Sequence, residues 1–137
     1  MNTFHLSLGV PDLPEAIAFY REFLGAEPVK SEPGYAKFEL DDPPVALALT
    51  ESGRSGLSHL GIRVESSEQV GAASDRLAKS GLATLDEHDA VCCYARQDKV
   101  WVTDPAGIAW EIYTVLEDVG ENGEPHASAE CCTTACC

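Results

Sequence analysis

With 137 residues and a formal net charge of −14, the chain is long enough for one domain with a buried core. That much negative charge disfavours nucleic acid phosphates and anionic lipid as partners. The chain has no apolar run of membrane-spanning length, and its start lacks a signal-peptide pattern, so a soluble cytoplasmic protein is expected.

Residues 5–10 read His-Leu-Ser-Leu-Gly-Val, the polar/apolar alternation of a half-buried strand. Asp12 and Glu15 then have the spacing of a helix N-terminal cap. Leu13, Ile17, Tyr20 and Leu24 form one apolar helical stripe that ends at Gly25. Three short strands are predicted at about 27–30, 35–40 and 45–50, with Asp42-Pro43 as the turn before the last. Residues 51–57, with Ser and Gly, read as a linker.

The same order then repeats. Residues 59–64, His-Leu-Gly-Ile-Arg-Val, share the pattern His-Leu-x-Leu/Ile-x-Val with residues 5–10. Ser66 or Ser67 can cap a second helix, Val70, Leu77 and the alanines supply its apolar face, and Gly81 stops it. Strands are predicted at about 83–85, 99–103 and 108–115, the last preceded by the turn Asp104-Pro105-Ala106-Gly107. The polar stretch 86–91 reads as a loop. The expected class is therefore α+β, two βαβββ modules at about 1–50 and 58–116 within one domain of 1–116. Residues 117–137 are expected to be a flexible cysteine-rich tail.

Strand alternation separates His5, with Thr3 and Ser7, from Phe4, Leu6, Leu8 and Val10. It separates His59 from Leu60, Ile62 and Val64, and Glu111 from Ile108, Trp110 and Ile112. A lone histidine on a strand is usually an ordinary polar residue. Two at equivalent places in a repeat, with a carboxylate inside an apolar run, form a candidate metal set, because a buried carboxylate needs a partner. If the modules pack about a pseudo-twofold axis, the equivalent positions converge. Two imidazoles and one carboxylate form the donor set of non-haem Fe(II) oxygenases. Ala48 stands where the first module would supply the counterpart of Glu111, so a fourth protein ligand is not expected and the site should be open. His88 and His126 are expected to be structural or solvent-exposed.

The six cysteines fall in three adjacent pairs, Cys92-Cys93, Cys131-Cys132 and Cys136-Cys137. A disulfide scaffold would spread its cysteines across the fold, whereas paired thiols are soft ligands. Adjacent strand residues point to opposite faces, so Cys92 and Cys93 need irregular backbone to hold one atom. The alternative is a pair of small buried apolar residues.

His5, His59, Glu111, the Asp104-Pro105-Ala106-Gly107 turn and the doubled βαβββ order resemble the vicinal oxygen chelate superfamily. That group includes glyoxalase I, extradiol dioxygenases and fosfomycin-resistance proteins. The resemblance covers about residues 2–115 and implies a cupped mixed sheet around a metal site. Within the superfamily, Cys92-Cys93 and the cysteine-rich end look like the C–As lyases, relatives of a cadmium-induced protein. That likeness implies Fe(II) held by His5, His59 and Glu111, O₂ as co-substrate, and a trivalent organoarsenical bound by Cys92 and Cys93. Ni, Co or Zn can replace iron in a purified sample. Cys131, Cys132, Cys136 and Cys137 are candidates for soft-metal or arsenic capture. The competing readings are a glyoxalase or thiol transferase of the same fold, and a protein that sequesters Cd(II) or As(III) without turnover. A monomer and a homodimer are both compatible with the sequence.

Overall fold

The computed structural model describes residues 1–92 and 94–118. The elements run β1 (Thr3–Val10), α1 (Leu13–Leu24), β2 (Lys30–Glu32), β3 (Tyr35–Asp41), β4 (Pro44–Glu51), β5 (Gly56–Arg63), α2 (Ser67–Lys79), β6 (Leu85–Cys92), β7 (Ala95–Thr103) and β8 (Ala109–Asp118). The strands form one mixed, eight-stranded, unclosed sheet in the order β2-β3-β4-β1-β5-β8-β7-β6. The α+β class and the doubled βαβββ order are thus as the sequence predicts.

Each half is the image of the other. β1 lies parallel to β4 and β5 lies parallel to β8, while the outer strands add antiparallel. The halves join where β1 runs antiparallel to β5, pairing His5 with Gly61 and Ser7 with His59. Exchanging His5 with His59, and Ser7 with Gly61, swaps these two pairs, which is the signature of a twofold axis through the seam. The same relation places Ala48 in the role of Glu111: Ser7 pairs with Ala48 across β1–β4, and Gly61 with Glu111 across β5–β8.

The helices form where the sequence places them, for local reasons. The Asp12 carboxylate accepts the Glu15 N–H at 3.0 Å, and Gly25 closes α1 at φ 65°. The Glu51 carboxylate at the end of β4 accepts the Leu13 N–H at 2.9 Å, tying α1 to its own module. Ser66 is the cap of α2, its hydroxyl accepting the Gln69 N–H at 3.2 Å. Leu13 of α1 packs on Ala36, Phe38, Leu47 and Leu49, flanked by Ile17, Tyr20 and Leu24. Full burial of Phe38 and Leu49 contributes about 1.5–3 kcal/mol each. α2 buries Val70 and Ala73.

The strand ends differ from the sequence reading in several places. The strand predicted at 27–30 lies at Lys30–Glu32, and β7 begins at Ala95 rather than 99. β8 continues through Glu117 to Asp118. The stretch 86–91, expected to be a loop, belongs to β6. It is the edge strand of the sheet, where exposed Asp86, His88 and Asp89 can face solvent without cost and half-buried Glu87 accepts the Trp101 indole N–H at 3.2 Å, so it lacks an apolar alternation. The register slips between Glu87 and Ala90, around a positive φ at Asp89. Among the described residues, no helix is long and apolar enough to cross a membrane.

Candidate metal centre

The faces that alternation marks as more polar turn inward. Thr3, His5 and Ser7 of β1 are buried, whereas Phe4 on the opposite face is 37% exposed. The sheet curves around these polar residues, and the helices cover the other side only in part. The Asp104 turn fixes where β8 enters this cup. The Asp104 carboxylate accepts the N–H groups of Ala106 at 2.8 Å and Ile108 at 2.9 Å, and the Trp110 indole N–H at 3.2 Å.

The structure brings His5, His59 and Glu111 together from three adjacent strands. All three are buried, with one donor atom from each lying within 4.8 Å of the others. Glu111 Oε2 is 3.0 Å from His59 Nε2 and 3.5 Å from His5 Nε2. Ser58 Oγ lies 3.0 Å from His59 Nδ1, a contact that orients the ring with Nε2 toward the carboxylate. Both ring nitrogens of His5 are buried without a hydrogen-bond partner among the described residues. A buried imidazole in that condition is costly unless something else takes its lone pair. Two nitrogen donors and one oxygen donor around one point fit a divalent transition metal.

Gly61 makes the approach of Glu111 possible. A Cβ at position 61 would lie 2.6 Å from both Cγ and the backbone oxygen of Glu111. No side chain fits between β5 and β8 there, so the glycine in the second His-Leu-Gly-Ile run is a packing requirement of the site.

The electrostatics suit a resident cation. Burial pushes His5 down to about 4, so its ring is neutral near pH 7 and able to donate a lone pair. Burial alone would raise Glu111, but Lys99, with the two histidines, holds it at about 2, as a carboxylate. Burial, and next the Glu111 charge, push the Tyr113 phenol above its ordinary range. Its ring meets His5 edge-on at 5.2 Å, and Trp101 meets His59 in the same way at 5.1 Å. A cavity opens beside His5 and Glu111, lined by Lys30, Tyr35, Lys37, Gln97 and Tyr113.

Sequence reasoning passed over Lys99, Ser58, Trp101 and Gly61. The available signal for Lys99 was only a cation directly ahead of the apolar run Val100-Trp101-Val102. Of the expected thiol pair, the backbone of Cys92 lies at the end of β6, paired with Ala95. Cys93, His126 and the tail cysteines Cys131, Cys132, Cys136 and Cys137 lie outside the described residues. The hairpin end that follows reaches the first module: Lys30 Nζ donates to the Tyr94 carbonyl at 3.1 Å, and the Tyr35 and Tyr94 rings stand 5.9 Å apart.

A cupped sheet built from two βαβββ modules, with a 2-His-1-carboxylate cluster at its centre, defines a class of metal-centred proteins. The family described as the Glyoxalase/Bleomycin resistance protein/Dioxygenase superfamily matches residues 3–112, and the chain belongs to it. Among individual proteins, the chain is 48% identical over 136 residues to a trivalent organoarsenical cleaving enzyme of Thermomonospora curvata, spanning 97% of this chain and 89% of the relative. It is 50% identical over 120 residues to the cadmium-induced protein CadI of Mycobacterium tuberculosis, spanning 86% of this chain and 79% of the relative. Of solved structures, an extradiol ring-cleaving dioxygenase from B. fuscum superposes with a TM-score of 0.65 at 23% identity. That match covers 84% of this chain and 32% of the larger enzyme, and it is a likeness of fold.

Proposed function

We propose that the chain is a non-haem Fe(II) dioxygenase that cleaves the C–As bond of trivalent organoarsenicals, with methylarsenite as the simplest substrate. The observation that carries this reading is the convergence of buried His5, His59 and Glu111 on one point beside a polar cavity. The relative named an organoarsenical cleaving enzyme supplies the substrate class.

In this reading His5, His59 and Glu111 hold the ion. Fe(II), when bound, supplies a coordination site and the redox capacity to react with O₂. Cys92 and Cys93 replace the two hydroxyls of methylarsenite, releasing two waters and leaving the methyl group on arsenic. Tyr94, the next residue in the chain, contacts Lys30 and Tyr35, both in the cavity wall. The neutral His5 and ionised Glu111 keep the donor set ready for a dication at neutral pH. The overall conversion, CH₃As(OH)₂ + O₂ → HCHO + As(OH)₃, balances without a further reductant. The domain proposed at 1–116 extends to Asp118 with the end of β8, Cys131, Cys132, Cys136 and Cys137 capture arsenic, and the protein works in the cytoplasm.

The test is to mix protein, Fe(II), O₂ and methylarsenite and to measure inorganic arsenite, formaldehyde and O₂ consumed. Equal amounts of all three are expected, with none formed anaerobically or by His59→Ala or Glu111→Ala. The similarity to the cadmium-induced protein favours a second reading, sequestration of Cd(II) or As(III) by the cysteines. Stoichiometric binding of arsenic without either product would support that reading and sink the enzyme.

A further inference from the structure

The Glu111 carboxylate is divided between two tasks. Its Oε2 faces the histidine pair, at 3.0 and 3.5 Å from the two Nε2 atoms. Its Oε1 lies 2.8 Å from Nζ of Lys99. Lys99 is 1% exposed, and its ammonium stands 5.3 and 5.7 Å from the ring centroids of Trp101 and Tyr113. Those rings are the ones that meet the two histidines edge-on, and Tyr113 is the cross-strand partner of Lys99 itself. The ammonium is therefore enclosed by the walls of the metal centre, with two π-faces favouring its charge there.

From this geometry we propose that Lys99 is a positioning residue that restricts Glu111 to ligation through Oε2, fixing how many places around the metal stay open. The inference rests on the metal-centre reading above. A carboxylate can bind one ion through one oxygen or through both. With Oε1 held by a buried cation, chelation would require breaking an ion pair that has no solvent to replace it. One-oxygen ligation leaves an additional position for water, O₂ or substrate. Lys99 also gives Glu111 a counter-charge before metal arrives, so the metal-free site tolerates a buried carboxylate. Removing Lys99 should thus have two effects. Oε1 turns to the ion and displaces a bound water. The metal, now the main counter-charge of Glu111, binds more tightly.

Mn(II) is a suitable probe, because its effect on water-proton relaxation counts the water molecules on the ion without any turnover. In Lys99→Met, relaxivity per bound Mn(II) should fall by about a third, one of the three remaining positions of a six-coordinate ion. Affinity for Mn(II) should rise by roughly tenfold, since each factor of ten is a modest free-energy change. Lys99→Arg, which keeps a cation on Oε1, should restore both values. If Lys99→Met does not fold, infrared difference spectra of metal binding to the unmutated protein decide the matter. A wide separation of the Glu111 carboxylate stretches marks one-oxygen ligation, and a narrow one marks chelation and overturns the assignment. Unchanged relaxivity and affinity in Lys99→Met likewise reduce Lys99 to a packing residue. Absence of Mn(II) binding by the unmutated protein overturns the metal-centre reading, and Lys99 with it.

Discussion

Gly61 and His5 hold the centre in different ways. Gly61 leaves room for Glu111, and the atoms a Cβ would strike include a backbone oxygen that cannot rotate away. Gly61→Ala should destabilise the protein by about 1–3 kcal/mol, as overpacking does, and weaken divalent metal binding together with it. Urea unfolding and a metal titration on the same sample would check both. His5 and Glu111 act through protons. The folded-state pKa of His5 is about 4 against 6.5 unperturbed, so the unfolded chain takes up its proton first as pH falls. That contribution is complete above about 6.5 and fades toward 4. Glu111, at about 2 against 4.5, adds a loss of the same sign between those values. The metal-free protein should therefore unfold at progressively lower urea from pH 7 to pH 4. His5→Gln should flatten that slope, and a pH-independent midpoint in the unmutated protein would contradict the assignment.

At the scale of elements, the turn before β8 deserves a test, because one side chain ties three donors that set the depth of Glu111. Asp104→Ala should lower the melting temperature on the order of a few degrees. Amide exchange through 105–112 should accelerate and metal should bind more weakly. An unaltered exchange pattern would mean that β8 is seated by its neighbours alone. This turn was readable in the sequence, as were the apolar stripe of α1, both helix caps and the alternation that separates His5 from Leu6. These are local, since the signal and the structure lie within a few residues. Lys99 and Gly61 were not readable, because their roles depend on register: Lys99 matters through its contact with Glu111, and Gly61 through its pairing with both His5 and Glu111. β6 was misread for a related reason, since an edge strand paired only with β7 need not carry an apolar face. Alternation also left open which face is buried, and only the curvature of the whole sheet turns the polar one inward.

For the molecule as a whole, the antiparallel seam between β1 and β5 divides the proposed metal centre unequally. The first half contributes His5, and the second contributes His59, Glu111 and Lys99. Arg63 and Glu39 cross the seam as an ion pair, and Lys30 crosses it to reach Asp118. A chain cut in the linker between Glu51 and Gly56 would thus produce two fragments, each retaining its own βαβββ order but neither a complete donor set. The ion then becomes a reagent for complementation. Fragments 1–53 and 54–137, mixed without metal, should associate weakly. Divalent metal at a hundred times its dissociation constant should strengthen the pairing by about 2.7 kcal/mol, the linkage expected for a ligand that binds only the assembled form. Size-exclusion chromatography with and without metal would read this directly, and a pairing indifferent to metal would place the adhesion entirely in the β1–β5 hydrogen bonds. The site in the centre of the sheet is, in these terms, a two-component lock, with one tumbler in the first half and the rest in the second.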